Sequence, residues 1–223
     1  MALSVVATPI GNPLDISLRA IEAMKQADLI IGEERKITAL ILKTHKIGQK
    51  KIELLNEHSD REDLEFLLSQ CKQLNVALVS DCGTPAFCDP GADLVKACRK
   101  QNIEVKTIPG ASSLMVFLSG CGLKVDQFYF FGFIPGKPDL RKSTLQQLKN
   151  IKVPTVIMDT PYRLEKLLSE LENITPSTTC VLGLSLTMPE EKFLFGTPKK
   201  LINQVKVKKA EFVLMLLPKK GKK

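Results

Sequence analysis

The segment from Val76 to Gly91 constrains the fold of this chain more than any other. Val76-Ala77-Leu78-Val79 is a short apolar run that breaks off into Ser80-Asp81-Cys82-Gly83-Thr84-Pro85-Ala86-Phe87-Cys88-Asp89-Pro90-Gly91. An apolar run without polar alternation reads as a strand buried on both faces, the kind found in parallel sheets. Gly83 and Gly91 permit close backbone approach and positive φ, while Pro85 and Pro90 hold the loop in one shape. A helical pattern starts after Gly91. A buried parallel strand that opens into such a loop is where open α/β sheets bind ligands, outside the carboxyl ends of the strands.

The arrangement recurs. Residues 3–7 form an apolar strand that runs into Thr8-Pro9-Ile10-Gly11-Asn12-Pro13, and residues 103–108 run into Pro109-Gly110-Ala111-Ser112-Ser113. In a parallel sheet such loops share one edge and line a pocket with backbone groups and short polar side chains. None of them is a G-x-G-x-x-G or a G-x-x-x-x-G-K-[ST], so neither dinucleotide-binding nor P-loop chemistry fits.

The rest of the pattern predicts two α/β domains. Leu14, Leu18, Ile21 and Met24 mark a helix face, and residues 29–32 a short strand. Ser59 with Glu62 reads as a capping box for a helix whose apolar face is Leu64, Leu67, Leu68, Cys71 and Leu74. Strand–helix alternation up to Pro109 implies right-handed crossovers and a mainly parallel sheet. Strands at 128–131, 155–158, 180–186, 193–195 and 212–217, with helices at 140–148 and 163–171, predict a mixed sheet in the second half. Ser119-Gly120-Cys121-Gly122 bridges the halves, so the expected domains are 1–118 and 119–223. A chain of 223 residues suits two small domains with real cores.

Several functional classes are disfavoured. There is no apolar run near membrane-spanning length and no basic-then-apolar leader, so a cytoplasmic protein without membrane contact is expected. The cysteines (71, 82, 88, 98, 121 and 180) show no C-x-x-C pairing and read as small buried hydrophobes. His45 and His58 are the only histidines, which leaves little for a metal centre or a Ser-His-Asp triad, and no metal is expected. The net charge of +8 sits entirely in the segment from Lys199 to Lys223, which has nine lysines against one acid, Glu211. Such a cluster attracts RNA phosphates through counterion release, or else solubilises a frayed end.

The residues Thr8-Pro9-Ile10-Gly11-Asn12, Glu33-Glu34, the run from Ser80 to Gly91, Pro109-Gly110, and Phe131-Gly132-Phe133-Ile134-Pro135 with Lys137 and Arg141 occur in one order along the chain. In these the chain resembles the tetrapyrrole-methylase superfamily, enzymes of two α/β domains that use S-adenosyl-L-methionine (SAM). Within it, the chain is most similar to the small-subunit ribosomal RNA methyltransferases that modify a cytidine 2′-hydroxyl. The resemblance implies a cofactor cleft between the domains and a homodimer. It implies that Asp81, Gly83, Thr84, Pro85, Phe87, Ser112 and Ser113 contact SAM, with Pro9 and Gly11 shaping the floor and Met158 and Thr160 closing the other side.

Methyl transfer from a sulfonium is an in-line displacement, so the protein chiefly positions donor and acceptor. A ribose hydroxyl is a poor nucleophile and calls for a base or polarising cation beside it. Glu33-Glu34-Arg35-Lys36 follows a strand and points toward the loop edge. Glu34 is the expected base, Lys36 the group that holds phosphate or polarises the hydroxyl, and Lys137 and Arg141 the expected phosphate contacts. The ribosomal enzymes carry Ala-Arg-Glu-Leu-Thr-Lys where this chain has Gly183-Leu184-Ser185-Leu186-Thr187-Met188, and Thr-His-Arg where it has Pro161-Tyr162-Arg163. The sequence also stops soon after the 212–217 strand, without the further domain those enzymes carry. The alternatives are a methylase of a tetrapyrrole or other small molecule, and a non-catalytic SAM- or RNA-binding protein.

Overall fold

The structure, a computed structural model, describes residues 1–89 and 91–218; Pro90 and the terminal lysine cluster from Lys219 lie outside the described residues. The chain divides into two compact units, Met1–Ser112 and Ser113–Lys223.

In the first unit, strands β1 (Ala2–Val6), β2 (Leu29–Gly32), β3 (Lys51–Leu54), β4 (Val76–Val79) and β5 (Glu104–Ile108) form one sheet in the order β3-β2-β4-β1-β5. Every pairing in it is parallel. Parallel neighbours need crossovers, supplied here by helices α1 (Leu18–Gln26), α2 (Arg35–Thr44), α3 (Arg61–Cys71) and α4 (Gly91–Lys100). Successive strand residues face opposite sides of the sheet. Leu3, Leu29, Ile31 and Leu78 pack with Leu67, Cys71, Leu94 and Cys98 of α3 and α4. Val6, Ile30, Ala77 and Val79 pack with Ala20, Met24 and Leu42 of α1 and α2. Both faces are covered, which is why these strands carry no polar alternation.

The α3 cap differs from the sequence expectation by one residue. Asp60, not Ser59, is the N-cap: its carboxylate accepts from Glu62 N and Asp63 N, and Asp63 reciprocates toward Asp60 N. Ser59 instead accepts from Asn56 N in the preceding turn. Charge assists the carboxylate cap, and a hydroxyl one residue earlier cannot compete with it.

In the second unit, α5 (Ser113–Gly120) precedes β6 (Tyr129–Phe133), α6 (Pro138–Gln146), β7 (Thr155–Met158), α7 (Leu164–Ile174), β8 (Cys180–Leu184), β9 (Lys192–Gly196), α8 (Pro198–Gln204) and β10 (Phe212–Leu216). The sheet order is β6-β7-β10-β8-β9. β6 and β7 are parallel and the remaining pairs antiparallel, a mixed sheet as the sequence predicts. Leu164, Leu167, Leu168 and Leu171 of α7 pack with Leu145, Leu201 and the sheet residues Ile157, Leu182 and Leu214. β8 ends at Leu184 rather than at the expected residue 186, because Ser185 turns to φ +48°. No helix among the described residues is long and apolar enough to cross a membrane.

Candidate functional site

β1 and β4 lie side by side, yet the chain leaves them in opposite directions, from β1 to β2 and from β4 past β1 to β5. The helix after β1 covers one face of the sheet and the helix after β4 the other. Such a switch point opens a crevice at the carboxyl ends of the two strands.

Hydrogen bonds fix the floor of this crevice. The Gly83 carbonyl accepts from Thr8 N at 2.8 Å and from Ser80 Oγ at 2.9 Å. Thr8 Oγ1 lies 3.0 Å from Ser80 O, and both side chains are buried. Thr84 Oγ1 donates to Ala111 O at 3.1 Å, tying in the loop after β5. Gly83 holds φ +87°, and a Cβ there would stand 3.2 Å from Ile10 Cγ2, so this turn tolerates no side chain without moving. The Asp89 carboxylate accepts from Ala86 N and Gly91 N and closes the far end of the loop.

The loops after β2 and β4 exchange carboxylates. Glu33 Oε1 accepts from Asp81 N at 3.1 Å, and Asp81 Oδ1 accepts from Glu34 N at 3.2 Å. Burial raises the Glu33 carboxyl above its ordinary 4.5; the bond from Asp81 N opposes this, and the charges of Asp81 and Asp89 add to it. Burial likewise raises Asp81, with the bond from Glu34 N lowering it and the Glu34 charge raising it. Glu33 thus joins the site beside Glu34, which is exposed like Lys36. Its signal in the sequence is its place as the first residue after a buried strand.

A raised carboxyl in the folded state has a stability signature. Below pH 4.5 Glu33 is protonated in both folded and unfolded chains and contributes nothing. As pH rises, the unfolded chain ionises first, and the fold loses stability until pH passes the raised folded value. Glu33→Gln is therefore expected to raise the melting temperature at pH 7 and leave it unchanged near pH 3, where ~pH 3 lies below the ordinary Glu range. Thermal melts of the two proteins across that range check this.

The first unit brings Pro9, Gly11 and Asp81 together around a cavity of about 150 Å³, lined also by Pro13, Leu40, Ile41 and His45. Gly83 and Pro85 are buried in the floor beside it, and Thr84 and Phe87 are exposed. Ser112 ends the first unit and Ser113 opens α5 in the second.

In the second unit, Met158 ends β7 beside β6, where it pairs with Phe133, and Thr160 lies two residues further on. Lys137 is exposed at the start of α6. Arg141, expected from the sequence to meet phosphate, is only 2% exposed. Its Nη1 lies 2.6 Å from Asp159 Oδ2, and its Nε donates to Glu170 Oε2 at 2.8 Å. Burial alone would lower its pKa, but the hydrogen bonds and charges of Glu170 and Asp159 prevail and raise it. The guanidinium is committed within the unit, and a phosphate would have to displace a carboxylate to reach it. Asp159, in the stretch 158–162 expected to close the cofactor site, is instead the hub of this cluster. Among the described residues no group of His, Cys, Asp and Glu is placed to hold a metal.

Residues 2–202 match the model of the family described as Tetrapyrrole (Corrin/Porphyrin) Methylases. The "Ribosomal RNA small subunit methyltransferase I" of Leptospira biflexa is 37% identical over 216 residues, 96% of this chain and 90% of that protein. Proteins of the same name from Neisseria meningitidis and Rickettsia prowazekii are each 35% identical, covering 99% and 96% of this chain and 77% of their own length. The fold is shared with a diphthine synthase (TM-score 0.75, 18% identity, covering 98% of this chain and 90% of the other). It is shared also with the uroporphyrin-III-C-methyltransferase of Thermus thermophilus (TM-score 0.65, 16% identity, covering 96% and 93%).

Proposed function

The chain belongs to the tetrapyrrole methylase family, and we propose that it is a SAM-dependent methyltransferase of small-subunit ribosomal RNA, acting on a cytidine 2′-hydroxyl. The observation that carries the substrate class is the likeness, at 35–37% identity over nearly the whole chain, to proteins named as methyltransferases of small-subunit ribosomal RNA.

The residues present fit the cofactor. Gly83 leaves open the space a Cβ would fill, Asp81 offers a carboxylate to an ammonium, and the buried Thr160 Oγ1 has no hydrogen-bond partner among the described residues. When bound, SAM supplies a methyl group made electrophilic by its sulfonium. The chain's part is to bind and orient. Pro9, Gly11, Gly83 and Pro85 shape the floor; Asp81, Thr84, Ser112, Ser113 and Thr160 offer polar contacts; Phe87 and Met158 offer apolar ones. Phe87 leaves 60% of its surface exposed for a flat ring. Glu34 is assigned the acceptor proton, with the half-buried Glu33 and Asp81 beside it, and Lys36 is assigned to the hydroxyl or its neighbouring phosphate.

Lys137 is assigned to RNA phosphate, and so are Lys199, Lys200, Lys206, Lys208 and Lys209, all exposed. A homodimer is proposed as the assembly. Binding through these lysines weakens with salt, the slope of log K against log salt being about −0.7 per phosphate on a single strand. The deciding test is transfer of tritiated methyl from SAM to small ribosomal subunits and to protein-free RNA, both from cells that lack this protein. Label in RNA that resists alkaline cleavage at one linkage is the expected result. Tight SAM binding with no label in either RNA would refute the ribosomal substrate and favour a small-molecule methylase or a binding role.

A further inference from the structure

We propose that the buried Arg141 and Asp159, with the partly exposed Arg163, form a clamp that pre-sets the turn after β7 and offers the Thr160 hydroxyl to a polar group of the adenosyl donor. Arg141, Arg163 and Asp159 act as positioning residues. The inference rests on the reading that the chain binds SAM.

The clamp joins two loops that leave the parallel strands β6 and β7 at the same end. Ile134 N donates to Met158 O at 3.0 Å, and the loops diverge from there. Asp159 is 4% exposed, and both its oxygens are committed. Oδ2 takes Arg141 Nη1 at 2.6 Å, while Oδ1 takes Thr160 N at 2.8 Å and Arg163 Nη1 at 3.4 Å. Arg141 Nη1 also reaches Pro135 O at 3.4 Å in the neighbouring loop. The Arg163 guanidinium lies over Gly136, where an added Cβ would be 2.7 Å from Nη2. Arg163 N donates to Thr160 O at 2.9 Å and closes the turn. The backbone of Thr160 is therefore held on both sides by groups that cannot move independently.

Two buried side-chain atoms of this network make no hydrogen bond among the described residues: Arg141 Nη2, which still lies 2.7 Å from Glu170 Oε2 as an ion pair, and the Thr160 hydroxyl, which has no such neighbour. Oγ1 is out of contact with solvent and has no hydrogen-bond partner among the described residues. A hydroxyl in that state lowers stability, and native structures tolerate few of them. Thr160 keeps part of its surface open, so a step of χ1 between staggered wells turns the hydroxyl outward. A buried ion pair gives little net stability compared with apolar packing. Its retention beside an unpaired hydroxyl, at the end of two parallel strands, fits a part in positioning.

Calorimetric titration of the intact chain with S-adenosylhomocysteine, paired with melts of the unliganded protein, tests this without reference to turnover. Thr160→Val is expected to raise the unliganded melting temperature by ~2–4 °C and to weaken binding by about five- to tenfold. A structural role alone would not move the two readouts in opposite senses. Asp159→Asn is expected to weaken binding by about tenfold, but by less than about threefold in the Thr160→Val background, because the two residues act through one contact. Wild-type affinity in a folded Asp159→Asn protein, or losses that simply multiply, overturns the clamp and leaves the family reading intact. If Asp159→Asn does not fold, Thr160→Val and the partly exposed Arg163→Gln decide, and unchanged affinity in both overturns it. A wild-type chain that binds neither SAM nor S-adenosylhomocysteine overturns the cofactor assignment and the clamp together.

Discussion

Replacing Arg141 with leucine is expected to destabilise the second unit by about 3–5 kcal/mol, the usual loss when one partner of a buried ion pair is removed. The size follows from burial rather than distance. The Arg61–Glu65 pair is only slightly longer, 2.9 Å, but its side chains are 90% and 63% exposed, and removing it is expected to change stability by ~1 kcal/mol at most. The Arg141 and Asp159 side chains are 2% and 1% exposed, so leucine would leave Asp159 charged, buried and short of its strongest partner. Glu170, 26% exposed, retains some access to water and contributes less. The chain has no Trp, and both its tyrosines, Tyr129 and Tyr162, lie in the second unit, so intrinsic fluorescence reports on the affected unit alone. In urea the midpoint should fall with the slope unchanged. A loss near that of Arg61→Ala would mean that water reaches Asp159 freely.

Arg141 also shows where sequence reasoning stops. A basic residue near a Gly-Lys turn looks the same in sequence whether it faces a phosphate or an internal carboxylate. The distinction lies in Asp159 and Glu170, which are 18 and 29 residues away along the chain and become neighbours only through packing. Local features were legible because their cause is local. The apolar runs of β1, β2 and β4 follow from coverage on both faces, and the glycine and proline residues after β4 follow from the turn. β3 carried no such signal: Lys51-Ile52-Glu53-Leu54 is an edge strand that alternates in polarity, held by β2 on one side. The carboxylate exchange between Glu33 and Asp81 was hidden for the same reason as the Asp159 hub. It joins residues 48 apart that the order β2-β4 brings together.

Gly83→Val is expected to reduce both S-adenosylhomocysteine affinity and methyl transfer by more than about a hundredfold, since misplacing reacting groups by 1 Å costs on the order of 10² in rate. Two effects combine at this residue. Valine at φ +87° is strained, by roughly 1–2 kcal/mol for any L-residue and more for a β-branched one. Its Cβ also meets Ile10 Cγ2 at 3.2 Å and Ala111 O at 3.7 Å, on the loops after β1 and β5. Relief requires the turn to move, and the Gly83 carbonyl, which Thr8 and Ser80 both grip, moves with it. Asp81 and Thr84 on either side are displaced from the positions that suit a bound cofactor. Gly48 separates strain from geometry. It holds a comparable φ of +92°, but an added Cβ there has nothing within 4 Å. Gly48→Val should therefore show the strain alone, a drop in melting temperature of roughly 2–8 °C at 1–2 kcal/mol, with affinity and transfer near wild type. Were both variants to lose affinity equally, general destabilisation would account for the loss and the β1–β4 crevice would have no special claim on the cofactor. Loss at Gly83 alone would locate the requirement in the turn that closes the crevice floor.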